Sequence, residues 1–154
     1  MTTQITKAER TRAKRNLSAT CIRRIRRMTA AIMAEPKFYD QNDFPQKDDC
    51  GMTCCAAGWA VWDQVTRKEY RRMACNPCTN WVRKAIEALR LPEQSYRVAL
   101  GTLFSNAGRW PEPFSQRYYK AQSKGDHKGM ARACRDRWEY FIKHDGQRTS
   151  AERT

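Results

Sequence analysis

The chain has 154 residues, the size of one domain, and sets 30 Lys and Arg against 16 Asp and Glu for a formal charge of +14. That imbalance excludes an ordinary near-neutral enzyme surface and points to nucleic acid or another polyanion as partner. Forty per cent apolar content, with five Trp and six Tyr, excludes a wholly disordered chain, and no run reaches the ~18 apolar residues of a membrane span.

No apolar segment follows the positive N-terminus, so no secretory signal is expected and the location reads as cytoplasmic, a host cytoplasm for a phage-encoded chain. The seven cysteines then read as thiols or metal ligands rather than disulfides. Charge is unevenly spread. Residues 1–34 carry +8, residues 35–66 carry −4 and residues 67–154 carry +10.

Residues 1–16 read as a basic arm, including Lys14 and Arg15. Leu17, Cys21, Ile25, Met28 and Ile32 follow at helical spacing and predict a long basic N-terminal helix that Pro36 stops. Arg23, Arg24, Arg26 and Arg27 fall mostly on its other face. Residues 36–49 read as a loop. A second helix is expected from about Cys50 to Val65, capped by Asp48 or Asp49. "TRKEYRRMACNPCTN" reads as basic and irregular towards its end. Thr79 or Asn80 caps a third helix carrying Val82, Ile86 and Leu89. Pro92 opens a fourth with Tyr96, Leu100, Leu103 and Phe104 as its apolar positions. A short helix over "SQRYYKAQ" precedes a last one carrying Met130, Cys134, Trp138, Phe141 and Ile142, with Gly146 as its C-cap. The fold class is all-α: a single-domain bundle of about five to six helices over residues 17–146, with a tail from 147.

"DDCGMTCCAAGWA" (48–60) is the least generic stretch, and three chemistries compete for it. As packing, the small residues Ala56, Ala57, Gly58 and Ala60 let another helix approach closely, and buried cysteine serves as a small hydrophobe. As a zinc site, Cys75 and Cys78 form a C-x2-C that Cys50 and Cys55 would complete to four sulfurs. As catalysis, Cys50 at a helix start would gain thiolate character from the helix dipole, with His127 or His144 as base, while Asp48 and Asp49 oppose it. Packing explains the most residues.

The same stretch resembles a C-G-T-x-x-C-x-A-G-x-A motif of small proteins from bacteria, phages and other mobile elements. Cys50, Gly51, Cys55, Ala57, Gly58 and Ala60 hold the recurring places, and Met52 stands where the motif has Thr. A following Leu103-Phe104 and Trp110-Pro111 segment is similar too. The resemblance implies an origin rather than an activity. Cys75 and Cys78 are particular to this chain, which weakens a shared zinc site.

The candidate nucleic-acid-binding residues are Lys14, Arg15, Arg23, Arg24, Arg26, Arg27, Arg71, Arg72, Lys128, Arg132 and Arg135. Trp110, Tyr118 and Tyr119 lie close to basic residues and are the expected exposed aromatics, with Trp138 in the core. No helix-turn-helix, zinc-finger or RNA-module signature is present, so contact is expected with the backbone rather than the bases. The expected function is therefore a non-enzymatic basic accessory protein of a phage or mobile element. It would bind nucleic acid or a host nucleoprotein complex and interfere with host defence. The alternatives are a protein-binding module using the acidic segment 35–66 and a cysteine enzyme centred on Cys50.

Overall fold

The computed structural model describes residues 15–42, 54–76 and 78–152. Among them lie seven α-helices and no strand, gathered into one helical body. They are α1 (Ala19–Ala34), α2 (Ala56–Trp62), α3 (Arg67–Ala74), α4 (Trp81–Leu89), α5 (Tyr96–Val98), α6 (Phe114–Gln122) and α7 (His127–Lys143). The basic arm, apart from Arg15 and Asn16, and the segment holding Asp48, Asp49 and Cys50 lie outside the described residues.

α1 and α7 form the centre. The expected stripe of Cys21, Ile25, Met28 and Ile32 is buried, as are Met130, Cys134, Trp138, Phe141 and Ile142. Each large apolar side chain removed from water contributes roughly 1.5–3 kcal/mol. The two helices pack antiparallel, because the start of α1 is held by the end of α7. The Asp145 carboxylate accepts from the Asn16 and Leu17 amides at 2.6 and 2.9 Å. Ser18 caps α1 by accepting from the Cys21 amide at 3.1 Å. The helix thus begins at Ala19, and Leu17 enters the core from just outside it.

The end of α7 explains why Asp145 is available. The Gly146 amide reaches the Phe141 carbonyl at 2.9 Å and the Asp145 amide reaches the Ile142 carbonyl at 3.0 Å, the two bonds of a Schellman ending. Gly146 was expected to close the helix, but the left-handed position falls first on Asp145 (φ 52°) and then on Gly146 (φ 72°). Aspartate tolerates that conformation. A side chain at 146 would also collide with Leu17 and Ser95.

Three other expectations are corrected. α2 starts at Ala56, not near Cys50, because Cys54 is committed to an extended bridge with Tyr39: its amide reaches the Phe38 carbonyl at 3.0 Å. α3, which was not expected, fills the first part of the segment whose end was read as irregular. It opens on a capping box, with the Thr66 hydroxyl accepting from the Glu69 amide while the Glu69 carboxylate accepts from the Thr66 amide. The fourth predicted helix is three short pieces. A 3-10 turn (Glu93–Ser95) leads into α5 and then into a π turn (Ala99–Leu103), closed by the Phe104 amide on the Ala99 carbonyl at 3.1 Å. The extra residue rotates the apolar face by about 100°. Leu103 and Phe104 stay buried, while Tyr96 and Leu100 end 39% and 59% exposed.

Asp145→Ala removes two charge-assisted bonds and puts alanine in a left-handed conformation. It should cost about 2–4 kcal/mol in urea denaturation at neutral pH. Asp145→Asn keeps an acceptor and the backbone preference, and should lose roughly half as much.

Candidate nucleic-acid interface

The loop after α1 is pinned by one buried amide. Gln41 is 3% exposed. Its Nε2 donates to the Ser105 and Leu103 carbonyls at 2.8 and 3.3 Å, and its Oε1 accepts from the Tyr39 hydroxyl at 2.9 Å and the Ala56 amide at 3.4 Å. Its own amide donates to the Tyr118 hydroxyl, which donates to Asp40 at 2.8 Å. Cys55, the N-cap of α2, makes no side-chain cap, and Gln41 supplies an acceptor for the first helical amide instead.

This network decides the thiols. Cys54, Cys55 and Cys134 are buried beside Tyr39 and Tyr70, with the Tyr70 hydroxyl 3.6 Å from the Cys54 sulfur. Burial pushes Cys54 and Cys134 up to about 12, and Cys21 to about 11 against the opposing pull of Arg24. Those three are protonated packing groups at neutral pH, and Cys54 is the one among them that belongs to the motif, where the packing interpretation puts a small hydrophobe. Cys75 and Cys78 are exposed after α3. No three His, Cys, Asp or Glu side chains group as metal ligands among the described residues, so Cys55 does not join Cys75 and Cys78, and Cys50 lies outside them. His127 is exposed at the start of α7, and His144 rests on Tyr140 with ring centres 4.3 Å apart.

The arginines chosen from sequence divide into two sets. Arg26 makes a two-bond pair with Glu139 at 3.0 and 3.1 Å, joining α1 to α7. Arg27 pairs with Asp63 at 2.9 Å, Arg132 with Asp126 at 3.6 Å and Arg135 with Asp136 at 2.9 Å. Arg24 donates to the Ala88 carbonyl at 2.6 Å, satisfying the end of α4. Arg15, Arg23, Arg71, Arg72 and Lys128 are exposed and have no ion pair among the described residues. Lys14 lies outside the described residues.

The aromatic expectations also divide. Tyr119 is exposed and Trp138 is core, but Trp110 and Tyr118 are buried, packed edge to face with ring centres 5.5 Å apart. Their place beside basic residues in sequence hid the fact that they serve the core.

Two surface clefts stand out. An aromatic one of about 360 Å³ lies between Phe38, Trp59, Trp62 and Tyr70, with Glu35 and Arg67 on its lining. A basic one of about 470 Å³ lies between the π turn and the segment after α7, and brings together Arg97, Arg109 and Arg148. Sequence reasoning missed these three because 51 residues separate the first from the last. The one available signal was the flanking of Trp110 by Arg109.

Compared with protein-family models, curated proteins and solved structures, the chain matches none.

The thiols set an alkaline limit. They begin to ionise near 9 in the unfolded chain, but in the native protein Cys21, Cys54 and Cys134 hold their protons to about 11–12. A raised acid favours the native state fully below the unfolded value and loses that benefit as pH climbs through the folded one. The melting temperature should therefore fall as pH rises from about 9 to 12. At pH 8, iodoacetamide followed by peptide mass spectrometry should label Cys75 and Cys78 and spare these three buried thiols.

Proposed function

We propose that this protein binds nucleic acid through contacts to the sugar–phosphate backbone, as a non-enzymatic accessory factor. One observation carries the reading. Internal ion pairs absorb part of the positive charge, but Arg15, Arg23, Arg71, Arg72 and Lys128 remain exposed with no carboxylate bound to them among the described residues. Unneutralised guanidinium and ammonium groups on a +14 chain gain most from a polymer that releases counterions when they bind. The ion-paired Arg26, Arg27, Arg132 and Arg135 are weaker candidates, since a phosphate must first displace a carboxylate. We place this activity in a mobile element, acting on a host nucleoprotein complex; that setting rests on the sequence resemblance and the charge alone.

A second reading, a protein-binding module using the acidic segment 35–66, is supported by the aromatic cleft beside Glu35, where Trp62 is exposed. Two acids of that segment are committed internally, Asp63 to Arg27 and Asp40 to Tyr118. The Arg27 pair leaves less free negative charge there than the sequence suggests, while Asp40 keeps its charge.

Binding to labelled duplex DNA and single-stranded RNA should be measurable at 50 mM salt. The plot of log affinity against log salt should have a slope steeper than about −2, as three or more phosphate contacts require. No binding to either at low salt would remove the nucleic-acid reading and leave the acidic module.

A further inference from the structure

We propose that the cleft between the π turn and the segment after α7 is a phosphate-binding site. It rests on the nucleic-acid reading and names the group that is gripped: the phosphate of a strand. Three arginines from three separate elements meet there, Arg97 on α5, Arg109 on the 3-10 turn Ala107–Arg109, and Arg148 beyond α7. No carboxylate lines the cleft among the described residues, and Arg97 and Arg109 have no ion pair among them. Elsewhere on this surface Arg26, Arg27, Arg132 and Arg135 meet carboxylates. Here Arg97 and Arg109 border one concavity of about 470 Å³, an arrangement of like charges that an anion relieves.

Two groups on the same wall, the buried Trp110 and the half-buried Thr102, adjoin the cleft. Trp110 lines the cleft at 4% exposure, and its indole N–H is buried with no acceptor among the described residues. The Trp59 and Trp138 indoles share that state, so it does not by itself mark the cleft. Thr102, also on the lining, accepts at its hydroxyl from Nη2 of Arg137 at 3.1 Å and spends its own proton on the Val98 carbonyl. Arg137 is fully buried, so a fourth positive charge stands directly behind the cleft wall.

The lining therefore offers donors and positive charge. Guanidinium groups from different directions suit the several oxygens of a phosphate, which accept paired N–H bonds. The volume exceeds that of a bare phosphate and leaves room for the attached sugar. Trp110 is too buried to stack a base, so the site grips backbone without reading sequence.

Strand phosphate and free nucleotide offer the same chemistry, and the test separates them. Affinity is measured by fluorescence anisotropy with a fluorescein-labelled 20-mer, and melting temperature is followed with AMP or inorganic phosphate added. The proteins compared are the wild type, Arg97→Ala/Arg109→Ala, Gly101→Glu and a charge-matched control, Arg83→Ala/Lys84→Ala, whose side chains already pair with Glu87. Gly101 lines the cleft, and a Cβ there meets nothing within 4 Å, so the glutamate enters from a position with open space at its Cβ. It serves as the independent variant should the double arginine substitution impair folding.

The expected result is at least a tenfold loss of 20-mer affinity in both cleft variants, with less than threefold in the control. AMP that raises the melting temperature of the wild type but of neither cleft variant also supports the site, and if the 20-mer does not bind, it makes free nucleotide the source and ends the nucleic-acid reading. Undiminished 20-mer binding in both cleft variants, or equal loss in the control, overturns the cleft while leaving nucleic-acid binding in place. A wild type that binds neither probe overturns both.

Discussion

The Gln41 side chain is the joint on which the basic cleft depends. One amide reaches the first turn of α2 through the Ala56 amide, the exit of the π turn through the Leu103 and Ser105 carbonyls, and the Tyr39–Cys54 bridge through the Tyr39 hydroxyl. Each partner is a buried or partly buried polar group, and leaving such a group unsatisfied costs about 1–3 kcal/mol. The π turn supplies Gly101 and Thr102 to the cleft wall. So a buried residue that does not itself line the cleft helps fix where the arginine cluster opens, and the 42-to-54 connection starts and ends on the same network.

Charge is the other organising constraint. A body with this excess of cations repels itself, and the fold answers by using several of them structurally. Arg26 joins α1 to α7, Arg24 closes the end of α4, and Arg137 is taken wholly into the core beside Thr102 and over the ring of Tyr140. These placements separate arginines that hold the bundle together from those left exposed without an ion pair among the described residues. Burial also turns Cys21, Cys54 and Cys134 into packing groups.

Where periodicity was sustained, the sequence carried the structure plainly. The stripes of α1 and α7 and the Asn80 cap of α4 stand where spacing put them, because 3.6-residue repetition and capping are local signals. α3 was legible too: Thr66 and Glu69 are a capping box in plain view, outweighed by the basic residues around it. The fragmented 93–103 region was not, since a π turn depends on tertiary bonds such as those from Gln41 rather than on local preference. Nor was the division of the arginines. Helical phase places Arg26 and Arg132 on a surface, but only the approach of α7 to α1, and Asp126 as the cap of α7, decide that each finds a carboxylate. Arg97, Arg109 and Arg148 belong together only once the chain has closed.

The most direct test of the account is a proton–nitrogen correlation spectrum of the labelled protein, read at side-chain N–H groups while an unlabelled 20-mer is added. The account predicts movement of the Trp110 indole signal and of the Arg97 and Arg109 Nε–H signals, with the core indole of Trp138 unmoved. Saturating oligonucleotide that leaves those three signals in place would contradict it.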